Sequence, residues 1–499
     1  MNNATTQGRC KEDSGRRGLE RQEEERQEAL LAHLQRLLPD PGRSSAFRAA
    51  MVAEPSTCVR LNSLLPVAED LRGSLVERAE GVPWSPDAFI LPADMSAAVG
   101  HSLEYRLGGL YVQAKATTLA VVVLDPRPGQ LVLDLAAAPG GKATQIAAAL
   151  GNSGLLVANE PGARRRPALV GHLERCGAHN TLITGAPGSM MARWFHNVFD
   201  RVLLDAPCSG DGILCKDRHM LAWWSPEDAR RKSVQQVGLL RAAFHMLRPG
   251  GRLVYSTCSL STEENEDVLL GLVKRYGELV DIEPAAGVAA SGLAADAAAR
   301  YPAAFGGCVR VWPHEHATEG AFVAAVGKRG ATEWEPVEGD TGRRLAGPPP
   351  DPDPAGMADR IGERWGFAPE VPAGQELVAG RRHLHLRPAG AARLRGEFPW
   401  FVRTGMRVAG LHKGALHLSQ QAVALWGHLV PERRLDLSWP QVEGLFRGEE
   451  VALPSPPAGE VICFYGSHPV CRAVPGGEGR LRGYLSKVSR TDRLQGLFR

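Results

Sequence analysis

At 499 residues the chain is too long for one ordinary domain, and at about 150 residues apiece the length allows roughly three. Its hydrophobic content of 44% suffices for packed cores, while a net charge of only +3 argues against a chain that binds polyanions over its whole surface. Nine cysteines, an odd number with no CxxC pair, speak against a disulfide framework or a zinc site and place the chain in a reducing, cytoplasmic compartment.

Residues 1–24 are polar and charged and are expected to be disordered. No apolar run approaches the length of a membrane span and the N-terminus has no hydrophobic leader segment, so neither a transmembrane helix nor a secretory signal is expected. Glu28 to Leu38 has helical spacing and Cys58-Val-Arg-Leu-Asn62 reads as a strand, which predicts a small α+β domain over 25–110. From 111 to 327 apolar strand runs alternate with helical patterns, the signature of an open parallel α/β sheet. Strands are predicted at Leu131 to Leu135, Leu155 to Asn159, Thr181 to Thr184, Arg201 to Asp205 and Arg252 to Thr257. Val237, Leu240, Phe244 and Leu247 mark an amphipathic helix halted by Pro249-Gly-Gly251. Ligands of such sheets sit beyond the carboxyl ends of the strands. Residues 328–360, which contain Pro336, Pro348, Pro349, Pro350, Pro352 and Pro354, read as a linker. Residues 361–499 hold short strand-like pieces such as Val461 to Tyr465. Two basic clusters flank them: Arg381, Arg382, Arg387, Arg393 and Arg395, and a second group over 472–499. Such clusters either meet phosphate or form a plain solvated surface.

Asp134-Leu-Ala-Ala-Ala-Pro-Gly-Gly-Lys142 falls at a strand-to-helix turn, where glycines let the backbone approach a ligand and the helix start offers free N–H groups. It lacks the third glycine of a dinucleotide fingerprint and is not a P-loop. Glu160 stands at the end of the next strand, about twenty residues on, the place from which a carboxylate reaches a ribose diol. Together these fit S-adenosylmethionine. Asp205 closes the apolar run Arg201-Val-Leu-Leu-Asp205 and is either a helix cap or a ligand. Two cysteines then stand at successive strand ends, Cys208 in Asp205-Ala-Pro-Cys-Ser-Gly-Asp-Gly212 and Cys258 after Val254-Tyr-Ser-Thr257. Either alone could be a small buried hydrophobe. As a pair they suit one reaction: a thiolate adds to the electron-poor carbon 6 of cytosine, which makes carbon 5 a nucleophile, and the second thiol helps undo the adduct.

Leu133-Asp-Leu-Ala-Ala-Ala-Pro-Gly-Gly-Lys-Ala143, Ala158-Asn-Glu160, the Asp205 segment, Lys216-Asp-Arg218, Trp224, Gln236, Gly250-Gly-Arg-Leu-Val-Tyr-Ser-Thr-Cys258 and Glu263-Glu-Asn-Glu266 resemble the RNA (cytosine-5) methyltransferases, and among them the RsmF-type enzymes of bacterial 16S rRNA. The resemblance covers most of the chain. It implies an α/β fold whose 111–327 domain is a Rossmann-like, class I S-adenosylmethionine-dependent sheet. The N-terminal domain would help hold RNA, and 361–499 would end in a PUA-like, β-rich RNA-binding region. It implies that Ala137, Ala138, Pro139, Gly140, Gly141, Lys142, Ala143 and Asp205 surround the cofactor and that Glu160 takes its ribose hydroxyls. Cys258 is then the nucleophile on carbon 6, and Asp205, with a raised pKa, donates to ring nitrogen 3. Cys208 assists loss of the carbon 5 proton and release of Cys258. Lys142 is left open among a phosphate, the base, the cofactor carboxylate and plain solvation. Cys10, Cys58, Cys176, Cys215, Cys308, Cys463 and Cys471 read as structural.

Two positions depart from the family pattern: its usual cysteine is Ala136 here, and Pro187 stands where an acidic residue is expected near the adenine. The implied partner is RNA, 16S rRNA or the small ribosomal subunit, single-stranded or opened because carbon 5 is reachable only out of the stack. No metal or membrane is implied, and a monomer is expected. The alternatives are methylation of tRNA or DNA and an inactive RNA-binding assembly factor. A DNA enzyme would carry its nucleophile in the Pro-Cys motif with a later Glu-Asn-Val, and an inactive factor would be expected to lose a cysteine or Glu160.

Overall fold

The computed structural model describes residues 22–285, 298–333, 354–380, 382–389, 391, 398–485 and 490–497. The expected disorder of residues 1–24 falls outside these residues up to position 21, but 22–24 open a helix over 22–35. Three consecutive glutamates, Glu23 to Glu25, in its first turn suit the positive end of the helix dipole. A second helix, Pro41–Val52, starts on an Asp40 cap whose side chain accepts from Arg43 N–H at 2.7 Å. Both helices turn their apolar faces to the central α/β unit: Leu30, Leu34, Phe47 and Met51 share one buried cluster with Leu214, Leu260 and Trp312.

Strands β1 (Cys58–Leu61), β2 (Glu80–Val82), β3 (Ser85–Ile90) and β4 (Leu110–Val112) form a small antiparallel sheet in the order β2-β3-β1-β4. β1 stops one residue short of the expected Asn62, whose amide is spent on two carbonyls, donating at 2.8 Å to both Gly108 and Cys176.

The central sheet contains β5 (Leu131–Asp134), β6 (Leu155–Asn159), β7 (Thr181–Thr184), β8 (Phe199–Asp205) and β9 (Leu247–Thr257), all parallel in the order β9-β8-β5-β6-β7. These are the five predicted strands. Buried on both faces, they read as continuous apolar runs rather than alternating ones, and helices such as Gly141–Ala149 and Pro226–Met246 cover them. The sheet is mixed rather than purely parallel. β10 (Val280–Glu283), β11 (Val309–Val311) and β12 (Ala321–Lys328) add an antiparallel edge beside β9. The Pro226–Met246 helix also ends before Leu247, which is already extended and pairs with Phe199 as the start of β9; Pro249-Gly-Gly251 lies inside that strand.

Lys328, read as the first residue of a linker, is the last residue of β12, buried, with its ammonium donating to the Phe244 and Leu247 carbonyls at 2.8 Å. The linker reading of 334–353 lies outside the described residues, and its C-terminal end is helical, Pro354–Trp365, with proline at a position where its missing N–H costs nothing. Beyond it, β13 (Gln375–Ala379), β14 (His383–Pro388), β16 (Met406–His412) and β17 (Ala415–Leu418) form one antiparallel sheet, and β15 (Phe401–Thr404) lies between β14 and β16 in sequence only. β18 (Arg434–Asp436), β19 (Glu450–Ala452), β20 (Val461–Tyr465), β21 (His468–Pro475) and β22 (Arg480–Tyr484) form a second sheet, so this part of the chain is β-rich. β15 leaves both and pairs antiparallel with β7, closing the far edge of the central sheet. Gly405 N–H donates to Thr181 at 2.7 Å and Gly185 N–H to Trp400 at 2.9 Å. The chain end returns to the N-terminal sheet, where Leu497 is buried with Leu65, Leu75 and Phe89. Among the described residues no helix is long and apolar enough to cross a membrane.

Candidate active site

The carboxyl ends of β5, β6, β8 and β9 bring the predicted residues together in two neighbouring groups. The first belongs to the turn after β5. Ala137 N–H donates to the Asn159 carbonyl at 2.8 Å, and the Asn159 amide donates at 3.0 Å to both Leu135 and Ala186, so one buried side chain ties the ends of β5, β6 and β7. Gly140 takes a φ of 118°, open to glycine at little cost, and a Cβ there would meet His172 at 3.2 Å. Gly141 begins the Gly141–Ala149 helix, Ala143 is buried within it, and Ala137 and Ala138 are buried before it. The Ala138 carbonyl accepts from Arg165 at 2.6 Å and the Pro139 carbonyl lies 2.7 Å from His172 Nδ1. Pro187 precedes the short Gly188–Met191 helix after β7.

Glu160 follows β6 directly. Its Oε1 accepts from Gly162 N–H at 2.7 Å, while the buried Oε2 faces Arg165 at 3.3 Å and accepts no hydrogen bond. Asp134, the last residue of β5, is 1% exposed and neither carboxylate oxygen is hydrogen-bonded. Burial, and next the negative charge of Asp205, push its pKa up to about 7. Buried carboxylate oxygens without donors are rare in folded chains. Here three of them, both of Asp134 and Oε2 of Glu160, border a glycine turn at strand ends, which fits a ligand bringing hydroxyl donors and positive charge. S-adenosylmethionine has both.

The second group lies at the ends of β8 and β9, where Asp205 pairs in register with Ser256. Asp205 accepts from Lys142 Nζ at 2.6 Å and from Ser256 Oγ at 2.9 Å. Burial pulls the Lys142 ammonium down, but Asp205, with Asp134 behind it, outweighs that and leaves its pKa above the ordinary lysine value. Of the roles open to Lys142, solvation is excluded by this geometry: its side chain is 15% exposed and ion-paired. Asp205 therefore faces the site as half of an ion pair.

Cys208 Sγ and Cys258 Sγ are 3.1 Å apart. The contact with Cys258 and then burial raise the Cys208 pKa well above the usual thiol range, and either sulfur can be the donor in that contact. Cys258, Lys142 and Asp205 line a cavity of about 470 Å³, together with Thr117, Lys216 and Glu319.

Both cysteine loops are braced from below. Asp211 accepts from Ser259 Oγ at 2.9 Å and Leu260 N–H at 2.5 Å, and Gly212 N–H donates to the Cys258 carbonyl at 2.9 Å. A Cβ on Gly212 would stand 2.6 Å from that carbonyl oxygen, so only glycine fits. Glu264 is fully buried, accepts from Ser209 N–H at 2.9 Å and from Gln236 Nε2 at 2.8 Å, and Gln236 also donates to the Pro207 carbonyl at 3.0 Å. One carboxylate thus holds the residues on both sides of Cys208. Burial, then Asp211, raise the Glu264 pKa to about 7. Sequence reasoning singled out neither Asp134 nor Glu264. Asp134 closes an apolar strand as Asp205 does, and Glu264 falls inside the Glu263-Glu-Asn-Glu266 motif, but only its burial shows its role.

Of the other cysteines, Cys58, Cys176, Cys308, Cys463 and Cys471 are buried, Cys215 is half-buried, and Cys10 lies outside the described residues.

The family described as 16S rRNA methyltransferase RsmB/F matches residues 121–327. A curated relative named ribosomal RNA small subunit methyltransferase F, from Klebsiella pneumoniae, is 35% identical over 85% of this chain and 88% of its own. The protein of the same name from Erwinia tasmaniensis is 31% identical over 93% of this chain and 97% of its own. Among solved structures, a methyltransferase homolog protein from Pyrococcus horikoshii is 28% identical and superposes with a TM-score of 0.51 over 60% of this chain and 99% of that one. S-adenosylmethionine is the cofactor of this chain. With relatives above 30% identity spanning nearly the whole chain and the family profile falling on the sheet that carries both cysteines, the protein belongs to the RsmB/F family of 16S rRNA methyltransferases.

Proposed function

We propose that this chain methylates carbon 5 of a cytosine in 16S rRNA through a transient covalent bond between Cys258 and carbon 6. The observation that carries the reading is the Cys258 thiol, 3.1 Å from that of Cys208, on the cavity that the Lys142–Asp205 ion pair also lines. Sulfur is a strong nucleophile as the thiolate, and Cys258 opens on the cavity that Lys142 and Asp205 also line. Addition at carbon 6 drives electrons toward ring nitrogen 3, where the Lys142–Asp205 pair supplies a proton and compensating charge. Carbon 5 is then nucleophilic. S-adenosylmethionine supplies the electrophilic methyl group when bound. Nitrogen 3 returns its proton to the Lys142–Asp205 pair, Cys208, its own thiol proton released to solvent, takes the carbon 5 proton, and the electron pair left behind re-forms the double bond to carbon 6 and expels Cys258 as a thiolate.

Glu160 and the Ala137–Ala143 turn would hold the cofactor, with Glu160 on the ribose hydroxyls and Asp134 toward its positive charge. The substrate base must leave its stack to reach the cavity, so the RNA is single-stranded or locally opened. The names of the curated relatives support small-subunit rRNA as the target. The N-terminal unit and the β-rich C-terminal unit would hold RNA on either side of a monomeric, cytoplasmic enzyme. Bisulfite sequencing of total RNA from cells with and without the protein tests the reading: a cytosine in 16S rRNA should be protected only when the protein is present. No protected cytosine that depends on the protein would overturn it.

A further inference from the structure

Trp223 is 63% exposed, although its neighbour Trp224 is 5% exposed and packed against Leu221, Leu260 and Trp312. A large ring on the surface is the informative observation, because nothing among the described residues accounts for it. Its backbone is not loose. Trp223 N–H donates to Met220 at 3.3 Å, and the Arg26 guanidinium donates to the Leu221 carbonyl at 3.0 Å and to the Ala222 carbonyl. The buried partner Leu260 follows Cys258 by two residues, so this turn is fastened to the nucleophile's own loop.

The turn continues the cavity wall. Lys216 and Asp217 line the cavity with Cys258, and the chain runs from them through Arg218 to Trp223. Arg218 is exposed and donates to Gln27 at 2.7 Å, while Arg230 and Arg231 open the next helix with side chains 68% and 78% exposed. The acids in the stretch are engaged: Asp217 caps His219 N–H at 3.0 Å, and Asp228 and Glu227 pair with Arg231 and Arg230.

We propose that Trp223 is a stacking platform for an unpaired base of the RNA strand flanking the target nucleotide, with Arg218 and Arg26 beside its phosphates. The inference rests on the reading of the chain as an RNA methyltransferase and deepens it. A strand whose target base is turned into a cavity leaves the neighbouring bases without a stacking partner, and an exposed indole replaces that partner for any base. Guanidinium groups alongside meet phosphate through charged hydrogen bonds.

The test is equilibrium binding of a single-stranded cytidine homopolymer to the full chain at several salt concentrations. Trp223→Ala should weaken binding roughly 5- to 150-fold with the salt slope unchanged, since stacking releases no counterions. Trp223→Phe should recover most of the loss, which separates stacking from misfolding. Arg218→Ala should instead lower the log–log slope by about 0.7. S-adenosylmethionine affinity should be unchanged in all three. Wild-type binding with no loss in Trp223→Ala would overturn the platform alone. So would a loss confined to protein components of the small subunit, which would make the ring a protein-docking residue. Failure of the wild-type chain to bind RNA at all would overturn both the platform and the functional reading.

Discussion

Asp134 carries a penalty that a bound cofactor can relieve, and pH exposes it. Burial holds its pKa at about 7 in the folded chain against an ordinary value of 3.8. Between these values the folded protein keeps a proton that the unfolded chain has released, so stability falls as pH rises through the window and stays low above it. At 1.36 kcal/mol per pH unit the difference amounts to about 4 kcal/mol, an upper figure for a site that can relax. Asp134→Asn removes the titration and leaves a pH-independent amide. Urea unfolding of both proteins without cofactor, from pH 4 to 8, should therefore show the variant gaining on the wild type by up to about 4 kcal/mol across the range. Glu264 titrates in the same window but is common to both proteins and cancels in the difference. The same reasoning makes wild-type S-adenosylmethionine binding tighten from pH 6 to 8, a trend the variant should lack. Parallel pH profiles for the two proteins would refute the argument.

Glu160→Ala should weaken S-adenosylmethionine binding by about 1–3 kcal/mol in calorimetry, and an unchanged affinity would remove Glu160 from the ribose. In the C-terminal unit, Arg480, Arg490 and Arg493 are exposed and make no ion pair among the described residues, unlike Arg387, which is paired with Glu376 at 2.7 Å. Replacing all three with alanine should lower the salt slope of RNA binding by about 2; equal slopes would make that surface merely solvated. Point substitution is the right tool, because removing the unit would strip β15 from β7 and bare the edge of the catalytic sheet.

The catalytic sheet was legible because its strands are continuous apolar runs, Leu155-Leu-Val-Ala-Asn159 among them, each ending at a polar residue or turn. Asp205, Cys208 and Cys258 were legible for the same reason: strand ends are where such sheets place chemistry. What stayed hidden depends on tertiary contact. Phe401-Val-Arg-Thr404 looks like any short strand, and nothing local says that it joins β7, more than two hundred residues earlier. The prolines after 328 suggested an extended linker, yet Pro354 starts a helix whose Ile361 and Trp365 are buried. Lys142 was ambiguous until Asp205 was seen 2.6 Å away. Glu264 acts through burial and three donors from distant segments, which no spacing rule reveals.

Covalent trapping reads the division of labour between the two thiols directly. RNA and S-adenosylmethionine are incubated with each variant and the mixture is resolved under denaturing conditions. Cys208→Ala should accumulate a denaturant-resistant protein–RNA adduct, because attack and methyl transfer proceed while release of Cys258 stalls. Cys258→Ala should form no adduct and no product while still binding S-adenosylmethionine. An adduct in Cys258→Ala and none in Cys208→Ala would contradict the assignment.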